Sequence, residues 1–196
     1  MILRHLNIIL FSSLLWGCAD DTTTAVPDAE TDAGVDADIM LACDGVIASQ
    51  PLAGANHVSE PTEITYDVSP PASGPHRPFW ARWGEYAVLP PQIYVHNLEH
   101  GGVALLYRPD APQADIDGLR EFAKVRDSAD GGTFRWILTP YDGLPTPVAA
   151  VAWGWVYEAS CFDADGLNVF LSRHYRQAPE DIGSDGAFSD GFIGRL

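Results

Sequence analysis

Pro90-Pro91-Gln92-Ile93-Tyr94-Val95-His96-Asn97-Leu98-Glu99-His100-Gly101-Gly102-Val103-Ala104-Leu105-Leu106-Tyr107 is the stretch on which the architecture turns. Ile93-Tyr94-Val95 is a short β-prone run. The apolar run from Gly102 to Tyr107 is unbroken, as expected of a strand covered on both faces. His96 and His100 constrain the connection between them. In an extended chain they stand about 13 Å apart; on a helical turn they are neighbours, with Glu99 beside them. If both serve one site, the strand through Tyr94-Val95 must turn over sharply at His96. Gly101-Gly102 supplies the backbone freedom for such a turn.

Upstream, residues 57–92 are rich in Pro, Gly and aromatics, including Pro70-Pro71, Pro75 and Pro78. Prolines at that density forbid a long helix and disfavour a central strand, so the segment reads as an irregular packed arm. Residues 63–68 are its one expected edge strand. Downstream, Ile116, Leu119, Phe122 and Ala123 recur at helical spacing and predict a helix over 114–128, stopped by Asp130-Gly131-Gly132. Residues 134–139 and 148–157 read as strands and 165–176 as a second helix, with a Gly- and Asp-rich tail after Pro179. The expected fold class is α+β: a mainly antiparallel sheet, two helices and a long Pro/Gly-rich irregular arm, with a ferredoxin-like split unit as the nearest simple topology.

The 196 residues carry 27 acidic and 11 basic side chains, a formal charge of −16. A polyanion attracts Lys and Arg, so the acid excess argues against nucleic-acid binding. Residues 1–17 read as a lipoprotein signal peptide: Arg4 is the basic element, residues 6–15 are mostly apolar, and Leu15-Trp16-Gly17-Cys18 resembles a lipobox. Cys18 is then the lipidated residue; a cleaved leader without lipid is the alternative. Some ten apolar residues are too few to cross about 30 Å of hydrocarbon. Residues 18–42, with seven acids and no basic or aromatic residue, read as a disordered tether. Residues 43–196 form the expected single globular domain. The chain is therefore expected in the cell envelope, held to a membrane by its N-terminal lipid with the domain outside the cytoplasm, in the periplasm or at the outer membrane.

Cys43 and Cys161 remain once Cys18 is assigned to lipid. Exported thiols oxidise readily, and two of them permit one pairing; two unpaired buried thiols are the alternative.

His57, His76, His96 and His100 lie within 44 residues, in the loop-rich part of the chain. Convergent imidazoles suit zinc or copper(II), and soft ligands for copper(I) are scarce because no methionine follows Met40. The expected metal site is His76, His96 and His100, completed by His57 or Glu99. His96-x-x-Glu99-His100 also has the spacing of the inverted zinc-protease motif, but that motif needs a stable helix, and this interval begins with β-prone residues.

Pro70-Pro71-Ala72-Ser73-Gly74-Pro75-His76 together with His96-Asn97-Leu98-Glu99-His100-Gly101 resembles the bacterial domain-of-unknown-function family 3105. That family's pattern has an upstream His, a Pro-Pro-Thr-Ser-Gly-Pro-His block, a His-x-Leu-Glu-His-Gly block and a later Ala-Trp-Gly, matched by Ala152-Trp153-Gly154. Ala72 departs from its usual Thr. The resemblance spans roughly residues 54–180 and implies that His57, His76, His96, Glu99 and His100 belong to the family pattern.

The function expected is binding, storage or delivery of copper or zinc rather than turnover. The alternatives are a zinc-dependent hydrolase with Glu99 as base and an envelope interaction module without metal, in which the imidazoles are turn and core hydrogen-bonders.

Overall fold

A computed structural model describes residues 41–195. The leader, Cys18 and all but the last two residues of the acidic stretch lie outside the described residues. No helix among the described residues is long and apolar enough to cross a membrane.

Seven strands form one mixed sheet: β1 (Val46–Ser49), β2 (Gly84–Tyr86), β3 (Val103–Tyr107), β4 (Trp136–Pro140), β5 (Val148–Ala152), β6 (Trp155–Ala159) and β7 (Phe192–Gly194), in the spatial order β1-β6-β5-β3-β4-β2-β7. β3 runs parallel to β4, and β4 parallel to β2, while the remaining pairings are antiparallel. Three helices accompany it: α1 (Pro91–Glu99), α2 (Gln113–Ala129) and α3 (Ala164–His174).

The expectation of a mainly antiparallel sheet with two helices is therefore wrong, as is the ferredoxin-like topology. α2 lies between β3 and β4 in sequence and is the long crossover that parallel neighbours require, which the linear order of elements left ambiguous. The third helix, α1, falls on the expected strand at Ile93-Tyr94-Val95. β-Branched residues cost a helix a few tenths of a kcal/mol each. Ile93, Tyr94, Val95 and Leu98 are all buried, and burial contributes about 1.5–3 kcal/mol per large side chain, so packing wins. Pro91 occupies the first helical turn, where its missing N–H is harmless.

Other boundaries also move. Residues 63–68 form no strand. The expected strand over 148–157 is a hairpin, broken at Trp153-Gly154, where Gly154 takes φ +74°. The tail after Pro179 is a surface wrap: Phe188 N–H donates to Trp80 O at 3.0 Å, and β7 pairs with β2 at the sheet edge.

Strand alternation divides the core in two. Ala104, Leu106, Ile137, Ala149 and Val151 face α1 and the arm, whereas Val103, Leu105, Trp136, Leu138 and Ala150 face α2 and α3. The sheet thus screens α1 and the arm from the other two helices. Cys43 and Cys161 form a disulfide with a Cα–Cα distance of 5.2 Å. It continues the antiparallel register of β1 and β6, in which Val46 faces Glu158.

Candidate metal centre

α1 presents His96, Glu99 and His100 at helical spacing. The helix stops abruptly. Gly101 N–H donates to Leu98 O at 2.9 Å and Gly102 N–H to Asn97 O at 3.0 Å, the paired bonds of a Schellman ending, with Gly101 at φ +81°. A Cβ on Gly102 would stand 2.5 Å from the Trp83 ring, so no larger residue fits without displacing it. The glycine pair therefore lets β3 begin directly beneath the site.

The arm contributes the other two imidazoles. His57 and His76 pair through an isolated parallel β-bridge: Val58 N–H donates to His76 O at 2.8 Å, and His76 N–H to Asn56 O at 3.0 Å. Asn97 clamps the arm to the helix, accepting from Ala81 N–H and donating to Ala81 O, both at 2.9 Å. Arg77 N–H donates to Gln92 O at 2.9 Å, next to the start of α1.

The imidazoles of His57, His76 and His96 converge, with ring centroids 4.6–4.9 Å apart. Their Nε2 atoms surround Glu99 Oε2 at 3.5, 2.9 and 3.9 Å respectively. His76, His96 and Glu99 are buried and His57 is half-exposed. Two rings are pinned from behind: His76 Nδ1 is 2.8 Å from Gly74 O and His96 Nδ1 is 2.7 Å from Arg77 O. A carbonyl only accepts, so each Nδ1 carries a proton. Burial, foremost, lowers the His96 pKa to about 4, against the opposing pull of the Arg77 carbonyl; the neighbouring imidazoles reinforce the drop. His96 is therefore neutral near pH 7, and its Nε2 presents a lone pair toward the carboxylate.

His57, His76, His96 and Glu99 each offer one ligand atom, all within 4.8 Å of one another. Ligand atoms on a tetrahedral ion with bonds of about 2.0–2.1 Å stand roughly 3.3 Å apart. The Nε2–Oε2 distances span that value. Carbonyl partners on the outer nitrogens are the usual means by which proteins orient ligating imidazoles.

His100 is placed differently. Its Nε2 lies 3.0 Å from Glu180 Oε2, its Nδ1 is buried without a partner, and its ring stands 4.4 Å from that of Trp80. Burial, foremost, lowers its pKa as well. His96 and His100 share the face of a helix, as the protease-like spacing requires, yet their Nε2 atoms address different carboxylates. Glu99 stands among the first group's nitrogens as a fourth ligand-type atom. Ser73 Oγ accepts from Ala53 N–H at 3.0 Å and fastens a loop. His174 stacks on Trp155 at 4.2 Å, outside the cluster.

Sequence reasoning missed Glu180 and the carbonyls of Gly74 and Arg77. Glu180 sits in the tail and reaches the site because its N–H donates to Glu99 O at 3.0 Å. No local pattern marks it.

No curated protein and no solved structure is significantly similar to the chain. One family model, described as "Protein of unknown function (DUF3105)", matches residues 57–186, an interval that begins at the first imidazole of the cluster and ends beyond Glu180. The chain belongs to the DUF3105 family.

Proposed function

We propose that this protein is a metal-binding component of the cell envelope, holding one divalent transition-metal ion through His57, His76, His96 and Glu99 for binding or delivery. The observation that carries the reading is the gathering of three imidazole Nε2 atoms around one carboxylate oxygen, with two of the rings held from behind by backbone carbonyls. Three nitrogens and one oxygen suit zinc or copper(II); both body cysteines are in the disulfide and offer no thiolate. His57, half-exposed beside buried partners, is the ligand through which an ion enters and leaves.

The envelope assignment draws on the leader-like residues 1–17, the lipobox-like Cys18 and the disulfide. Lipid on Cys18 would anchor the domain outside the cytoplasm. The reading is tested by stripping the purified protein of metal, dialysing it against zinc and separately against copper(II), and measuring bound metal. One tightly held equivalent is expected, abolished by the double substitution His76→Asn and His96→Asn in a protein that keeps its circular dichroism. Failure of both ions to bind overturns the proposal.

A further inference from the structure

A second group of ligand-type atoms adjoins the first. Glu99, His100 and Glu180 each offer one such atom, and these lie within 4.8 Å of one another. Glu99 belongs to both groups. We propose that the domain holds a second divalent cation at Glu99, His100 and Glu180, with the Glu99 carboxylate shared between the two ions. The inference rests on the first site binding metal and extends it from a one-ion to a two-ion centre.

Three observations support it. His100 is 2% exposed and faces a carboxylate with Nε2, while its Nδ1 is enclosed without any partner. An enclosed imidazole that meets a carboxylate at Nε2 is placed to ligate a cation through that nitrogen. Next, the backbone bond from Glu180 N–H to Glu99 O brings two carboxylate side chains to one imidazole, an arrangement that like charges oppose and a cation relieves. Finally, the guanidinium groups flanking Glu180 are engaged elsewhere. Arg135 binds His100 O and Asp181, and Arg176 binds Asp181.

Two carboxylates and one imidazole form a harder donor set than the first site, suited to zinc or manganese(II) with water completing the shell. Glu180 is half-exposed, so this ion is the weaker-bound and more readily exchanged of the two. A carboxylate shared by neighbouring ions matches the arrangement of two-metal sites, whose ions stand about 3.5–4 Å apart.

Zinc titration of the metal-free full chain, with bound metal measured after equilibrium dialysis, tests the proposal. Two equivalents are expected, the second at least tenfold weaker, and Glu180→Gln should retain only the first. One equivalent in both proteins overturns the second site and leaves the first standing; none in either overturns both. Two equivalents in Glu180→Gln also overturn the assignment. Copper(II) loading gives an independent readout: spin coupling between paired ions in the unaltered chain, and an isolated-ion signal in Glu180→Gln. An isolated-ion signal from the fully loaded unaltered chain counts against the shared carboxylate.

Discussion

His76 Nε2 lies 2.9 Å from Glu99 Oε2 while His76 Nδ1 lies 2.8 Å from Gly74 O, so both nitrogens of a fully buried imidazole face acceptors. A neutral ring has one N–H and satisfies one of them. The second contact requires a further proton, on the ring or on the carboxylate, or a cation between nitrogen and carboxylate. His96 repeats the arrangement at longer range, with Arg77 O behind it and Glu99 in front. A cluster of purely structural histidines would direct its protons at the acceptors on both sides. At His96, neutral near pH 7 with its proton on Nδ1, bare nitrogen is directed at a carboxylate.

Metal should therefore stabilise the fold. At a free-zinc concentration a hundred times Kd, linkage supplies about 2.7 kcal/mol, or about 5–10 °C in Tm for a domain of this size. Calorimetry of the chain with zinc and with chelator measures it. The His76→Asn, His96→Asn double variant should show no difference between the two conditions; an equal shift in that variant would place the metal elsewhere.

Asn97 is expected to matter for stability rather than for ligation. Asn97→Ala leaves Ala81 N–H and O buried without partners, a loss of about 2–4 kcal/mol. Urea denaturation of the metal-free protein reads the loss. An unchanged midpoint would mean that the arm is held to α1 by other contacts.

The metal-free domain should weaken in mild acid. Burial, foremost, lowers the His174 pKa to about 4, with Arg173 adding to the effect. A histidine whose folded pKa is depressed stabilises the fold fully above its unfolded value of about 6.5 and loses that contribution as pH falls toward 4. Allowing for partial screening by solvent, the loss is on the order of 1–2 kcal/mol. His174→Phe should flatten this part of the stability-versus-pH curve between pH 6.5 and 4. A variant curve with the same slope would remove His174 as its source.

Reduction should destabilise without emptying the site. The Cys43–Cys161 bridge spans 118 residues of sequence, and closing such a loop contributes about 4–5 kcal/mol in the chain-entropy model. Cys43→Ser with Cys161→Ser should lower the urea midpoint accordingly while zinc stoichiometry stays unchanged. Loss of zinc from a variant that is still folded would tie the bridge to the metal centre.

Much of the molecule was legible locally. The unbroken apolar run Val103-Ala104-Leu105-Leu106 is β3, and the spacing of Ile116, Leu119 and Ala123 marks α2, because each element's buried face is written at its own period. The four clustered histidines marked the neighbourhood of the site. Ile93-Tyr94-Val95 misled because propensity differences there are small beside the burial that tertiary packing supplies.

Residue types and their spacing alone determined that imidazoles are concentrated in one arm and one short segment, that two body cysteines were available to pair, and that the acid excess suits no polyanion. Tertiary structure decided the rest. It made residues 91–99 a helix, set β3 parallel to β4, joined His57 to His76 by a backbone bridge, and delivered Glu180 from the tail to His100. These outcomes depend on contacts between residues distant in the chain, whose energies exceed local preferences and leave no periodic trace in the sequence.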